Sequence, residues 1–386
     1  MISKFFNYIN TFIQVRFLIL FKQIKIEGES LYIYKKSIPK ILIENPLINE
    51  NIKELGLYEP SYQSLEKIDN FKNLEELCIR FFQYENLPDV LWTLKKLKKL
   101  KLEQCQISNL PESIKELNNL EYLNLSCKIE KLPLGISNLK KLKYLNLKRS
   151  YLLENIDKLP DSLEELILSN ESLDVNEEIL CLPNLKKLEI INTPIKKIPD
   201  NIENCKKLYH LTIYAHVNNF QLSKQIGTLS KLDCLELSGK GIKEINFEFT
   251  NLKNIKEISF YDTSIVTLPD SICECSKLKT LSINDTPLKE LPMNIGKLNS
   301  LSVLNLDYTN IQKLRRSVSS LKKLEYLTIP ESVKISSALQ DMEENKLNIS
   351  YGYNFDEASL DEESSIESFA DEFGQINRAK DIWLFE

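Results

Sequence analysis

Histidine is almost missing from this chain: His210 and His216 are the only two among 386 residues. His210 falls on a solvent-facing strand position and His216 on an inward-turning one. The two are therefore not expected to share an ion, and no metal site is expected. Glycine is also scarce, at nine residues. The one glycine-rich stretch, Ser238 to Gly241, lacks the spacing of a phosphate loop and sits at a strand end. No apolar run reaches the roughly 18 residues that a membrane-crossing helix needs. No nucleophile and base come together in any readable motif, so neither an enzyme nor a cofactor is expected. The eight cysteines form no paired clusters at the chain ends. Cys273 and Cys275 have the wrong spacing for zinc or redox work, and Cys105, Cys127, Cys205 and Cys275 take core positions. Reduced thiols and a cytoplasmic compartment follow as the expectation. A net charge of -5 speaks against nucleic acid as a partner.

What the chain does have is leucine at a fixed period. From Ile52 to Ile329 the pattern L-x-x-L-x-L recurs, followed by x-x-[T/C]-x-I-x-x-L-P-x-x-I-x-x-L. It recurs thirteen times, with first positions 21 to 24 residues apart between Ile52 and Leu324. In Leu97-Lys-Lys-Leu100-Lys-Leu102, Leu100 and Leu102 point to one side of a strand while Lys99, Lys101 and Glu103 point to the other. One such unit cannot cover its own apolar side. Units must stack, and the stack is an α/β solenoid with a parallel sheet on its inner face and irregular or 3-10 segments outside. At about 4.8 Å per strand, twelve steps give an inner arc on the order of 58 Å, long enough to hold a protein domain.

This pattern resembles the leucine-rich repeat. The form Thr286-Pro-Leu288-Lys-Glu-Leu291-Pro292-Met-Asn-Ile295 is similar to repeats of intracellular plant disease-resistance receptors and Ras-group leucine-rich repeat proteins. The resemblance covers roughly residues 51 to 330 and implies a horseshoe that recognises proteins. Some bacterial relatives of this kind are ubiquitin ligases with a cysteine nucleophile in a C-terminal domain. No cysteine follows Cys275 here, so that activity is not carried over. The units at Leu142, Leu163 and Leu208 depart from the form: Ser150 to Leu159 lacks the regular spacing, and Val217 to Phe220 lacks the proline.

The expected organisation is an N-terminal cap over residues 1–30, a degenerate repeat over 31–50, repeats over 51–338 and an acidic tail over 339–386. For Met1 to Ile26, apolar but interrupted by Lys4, Arg16 and Lys22, three readings stand. A cap on the first repeat is favoured over a membrane-surface helix or an atypical export signal. The tail carries 13 acidic and 3 basic residues, leaving the preceding 338 residues at a net of +5. Ile366, Phe369, Phe373 and Ile376 recur at helical spacing within it. It reads either as a cap or as a docking segment.

Function is expected on the inner face. In units three, five and seven this face includes Lys98, Lys99, Lys101, Lys143, Lys148, Arg149, Lys186 and Lys187, so its first half is basic. Later units contribute Tyr209, Tyr214, Tyr261, Asp262, Asp285, Asp307, Tyr308 and Tyr326, tyrosines flanked by acids. Tyrosine offers a large rigid contact with a polar tip, and opposite charges at the two halves would orient a partner. The expected function is a non-catalytic protein-interaction scaffold binding a protein on its concave face; the alternative is a secreted, host-directed effector of the same fold.

Overall fold

A computed structural model describes residues 24–352, except 35, 151–153, 170–181, 216 and 345–346. Residues 1–23 of the expected N-terminal cap, His216 and the helical pattern from Ile366 to Ile376 lie outside the described residues. Sixteen strands among the described residues form one sheet in strict sequence order. The sheet begins with a hairpin, β1 (Ile24–Glu27) antiparallel to β2 (Ser30–Ile33). Every later pairing is parallel, from β2 with β3 (Glu54–Tyr58) to β15 (Tyr326–Pro330) with β16 (Asn348–Gly352). Strands β3 to β15 are the thirteen units of the sequence period, and this open sheet is the inner wall of a solenoid horseshoe.

Each unit forms for the same local reasons. In β5 (Lys99–Glu103) the alternating Leu100 and Leu102 are fully buried, and their equivalents in every unit join one continuous apolar core. The strand ends where the backbone turns left-handed. Glu59, Phe81, Gln104, Arg149, Asn192, Asp262, Asp285 and Tyr308 all take φ between 49 and 66° at the same unit position, and Gly239 takes 110°. The L-P segment then starts the outer return. Pro111, Pro133, Pro199 and Pro269, with φ fixed between -66 and -78°, each precede a 3-10 turn whose isoleucine enters the core. In the unit at Leu208, which has no proline there, Ser223 takes the position and its hydroxyl accepts from the Gln225 amide at 3.1 Å.

The two ends are closed differently. Helices α1 (Lys40–Glu44) and α2 (Pro46–Asn49) make the return of the degenerate repeat that begins at β2. After a short α3 (Tyr62–Leu65) in the next unit, no α-helix occurs among the described residues until α4 (Ser337–Glu344). The expected boundary between repeats and tail, after residue 338, falls inside α4, and β16 extends the sheet beyond it.

Candidate functional site

The strand register sorts the expected inner-face residues into two groups. Lys99 and Lys101 on β5, Lys148 on β7 (Tyr144–Lys148), Lys187 on β9 (Lys187–Ile191), Tyr214 on β10 (His210–Tyr214), Tyr261 on β12 (Glu257–Tyr261) and Tyr326 on β15 lie on strands, at positions alternating with the buried leucines. Tyr209 comes one residue before β10 and is 42% exposed. The others stand at the strand exits. Arg149, Asp262, Asp285 and Tyr308 occupy the left-handed turn position, and Asp307 precedes Tyr308 in the turn after β14 (Val303–Asn305). They form a rim along one edge of the sheet rather than its floor.

The basic half of the face is extensively bonded within the chain. Lys99 and Lys101 both hold Glu76, at 2.9 and 2.7 Å. Lys98 holds Glu75 at 2.6 Å, Lys143 reaches Glu121 at 3.5 Å, Lys186 holds Glu164 at 2.8 Å and Lys187 holds Glu189 at 2.7 Å. Most of these acids lie one repeat upstream, 22 to 25 residues back, outside the set of residues expected on the inner face. One unit back from Lys98, Lys99, Lys143 and Lys186 stands an acid in each case, which marks these residues as neighbours; that they pair is decided by the stacked structure. The exposed ones among these pairs add little stability, and all of them offset the positive field that a list of lysines alone suggests. Two half-buried tyrosines also lie outside the expected set: Tyr122 and Tyr144, 22 residues apart, stack with ring centroids 4.0 Å apart.

The acidic and aromatic half is less satisfied. Burial, with the neighbouring Asp285 carboxylate, pushes the Asp262 carboxyl up to about 6 even though Lys240 approaches at 3.7 Å. Burial raises the Asp285 carboxyl as well. Burial and both aspartates push the Tyr261 hydroxyl up to about 12. Tyr308 is 39% and Tyr326 54% exposed. Asp307 is engaged internally: a β-carbon on Gly352 of β16 would stand 1.8 Å from its Oδ1, so the carboxylate lies against that strand.

Between the two halves, β10 and β11 (Cys234–Ser238) bring together side chains of two successive units. Their register sets His210 beside Cys234 and Thr212 beside Glu236. The Thr212 hydroxyl donates to Glu236 Oε2 at 3.1 Å and lies 3.0 Å from His210 Nε2. A hydroxyl that donates to the carboxylate accepts from the ring, which puts the imidazole proton on Nε2. Cys234 Sγ lies 3.8 Å from Glu236 Oε1. His210, expected to face solvent, is half-buried; burial and then Lys187 hold its imidazole down to about 4. Burial raises both the Cys234 thiol and the Glu236 carboxyl.

The glycines of Ser238 to Gly241 have a structural use. A β-carbon on Gly239 would stand 1.9 Å from the Ala215 carbonyl oxygen, and one on Gly241 1.8 Å from that of Val217. They let one repeat lie against the backbone of the last. The seven cysteines among the described residues are free thiols, and Cys105, Cys127, Cys205 and Cys275 are buried as expected.

The model of the family described as leucine-rich repeat region matches residues 51–191 and 270–349. Among curated proteins, the human volume-regulated anion channel subunit LRRC8B is 28% identical over 244 residues, covering 59% of this chain and 27% of that protein. The chain thus spans about a quarter of the length of the curated relatives it matches. Among solved structures, a leucine-rich repeat protein of Leptospira interrogans aligns with a TM-score of 0.62 at 24% identity, covering 82% of this chain and 93% of that one. The plant peptide hormone receptor RGFR1, solved in complex with RGF2, aligns with a TM-score of 0.55 at 20% identity, covering 82% of this chain and 57% of that one.

Proposed function

The chain belongs to the leucine-rich repeat family, and on that premise we propose that it is a non-catalytic recognition scaffold that binds a protein partner on its concave face. One observation carries this reading: along the β12 to β15 half of the face and its strand-exit rim, exposed tyrosines stand beside two half-buried aspartates that share a single lysine, Lys240, as the basic group acting on both. A basic side chain of a partner, entering between Asp262 and Asp285 against Tyr261 and Tyr308, would satisfy both carboxylates and cover aromatic area. The ion pairs of the other half favour a partner read by its basic group rather than by an acidic one. The plant peptide hormone receptor's complex with RGF2 supports a polypeptide ligand for a protein of this fold. The buried free thiols support a reducing, cytoplasmic setting.

The test is affinity capture with the full chain as bait, quantified against the double variant Tyr261→Ala/Tyr308→Ala. The expected result is partner binding weaker by about 2 kcal/mol, roughly 30-fold, with the circular dichroism spectrum and melting temperature little changed. Equal capture by the folded variant would sink the assignment to this half of the face.

A further inference from the structure

We propose that His210, Cys234 and Glu236 form a binding site for a divalent metal ion of the zinc class on the floor of the concave face. This goes beyond the partner-binding reading and does not depend on it. One ligand atom from each residue, an imidazole nitrogen, a thiol sulfur and a carboxylate oxygen, lies within 4.8 Å of the other two. Among the described residues no other three side chains of these types gather in this way. The parallel register imposes the grouping: His210 and Cys234 are paired residues of β10 and β11, and Glu236 lies two residues along from Cys234 on the same face.

The donor set selects the ion. Calcium and magnesium take oxygen ligands, whereas one nitrogen, one sulfur and one oxygen suit zinc and its first-row neighbours. Bonds of about 2.0–2.3 Å to a tetrahedral centre place ligand atoms roughly 3.3–3.8 Å apart. The Sγ to Oε1 separation of 3.8 Å is already at that distance, and the third ligand closes in by about 1 Å through side-chain rotation. On binding, the Cys234 thiol gives its proton to solvent as the sulfur-metal bond forms. The ion's two positive charges then balance one thiolate and one carboxylate. Thr212, bonded to both His210 and Glu236, holds ring and carboxylate in place behind the ligands. Glu189 and Glu257, on the strands either side of β10 and β11, add to the negative field, while Lys187 beside His210 opposes it. Three protein ligands leave a fourth position facing the hollow, open to water or to a side chain of a bound partner.

The experiment uses the full chain, reduced and stripped of metal, titrated with Co²⁺ alone and then with Zn²⁺. A thiolate-to-cobalt charge-transfer band in the near ultraviolet should saturate at about one equivalent and disappear as Zn²⁺ displaces the cobalt. Cys234→Ser should abolish the band, and Cys78→Ser, at a half-buried thiol on β4 (Glu76–Arg80), should leave it intact. His210→Ala and Glu236→Gln should keep the sulfur band while weakening affinity at least about 10-fold. The absence of a band, or its persistence in Cys234→Ser, would overturn the site. Should Cys234→Ser fail to fold, unchanged affinity in both His210→Ala and Glu236→Gln would overturn it equally.

Discussion

At the scale of the residue, the rim of left-handed positions sets both strain and charge. An L-residue with a side chain at φ near 50° loses energy to its own β-carbon, and asparagine and aspartate tolerate this best. Asn192, Asp262 and Asp285 fit that rule, whereas Phe81, Arg149 and Tyr308 do not. Asp262 also carries an electrostatic cost. Its carboxyl is raised to about 6 from an ordinary value of 3.8, so the folded chain binds that proton more tightly than the unfolded chain. The stability this contributes is complete below about pH 4 and is lost as pH rises through about 6. Asp262→Asn, which removes the charge and suits the left-handed turn, should therefore be more stable than the parent at pH 7.5, by on the order of 2 kcal/mol. The gap should narrow at pH 4.5. Melting curves at the two pH values check this, and a gap independent of pH would show that burial does not tax the charge.

At the scale of the element, the strand exit repeats a small buried polar group in place of a hydrophobe. Cys105, Cys127, Ser150, Thr193, Thr263, Thr286 and Thr309 take this place in seven of the units, all buried. They are not equally bonded. The Thr309 hydroxyl donates to the Leu306 carbonyl at 2.8 Å, and the Cys127 thiol to that of Leu102 at 3.0 Å. Among the described residues, the hydroxyls of Ser150, Thr193, Thr263 and Thr286 find no partner. Valine keeps threonine's branched shape, so Thr286→Val removes an unsatisfied polar atom and should raise stability by about 1 kcal/mol. Thr309→Val removes a made hydrogen bond and should lower it by about the same amount. Calorimetry of the two variants side by side decides, and equal shifts would mean that both hydroxyls are solvated alike. The threonine positions were legible in the T-x-I spacing of the repeat. Which of them is bonded was not, because that depends on the angle of each turn rather than on residue type.

For the whole molecule, stability passes from neighbour to neighbour along the stack, so the ends matter more than their size suggests. Leu339 of α4 and Leu347 before β16 are buried, and β16 covers the open edge of β15. A chain ending at Ser336 should therefore melt at a temperature several degrees below one ending at Gly352 and should associate through its bare edge. Thermal melts with size-exclusion chromatography test this, and coincident melts would show that β16 adds nothing to the sheet.

Thirteen strands, their register and their core were readable in the sequence, because burial of an alternating apolar side leaves one arrangement for a 23-residue unit. The concave lysines were readable too, but their acid partners belong to the preceding unit, and only the stacked structure put Glu76 under Lys99 and Lys101. The same holds for the centre of the face. His210, Cys234 and Glu236 are unremarkable on the line of the chain; the 24-residue unit and the parallel register make them neighbours. The sequence by itself determined the period, and the period determined the solenoid. Tertiary structure alone decided which charges are offset, which hydroxyls are bonded and which ligand atoms converge, because those depend on lateral distances between repeats that no single repeat encodes.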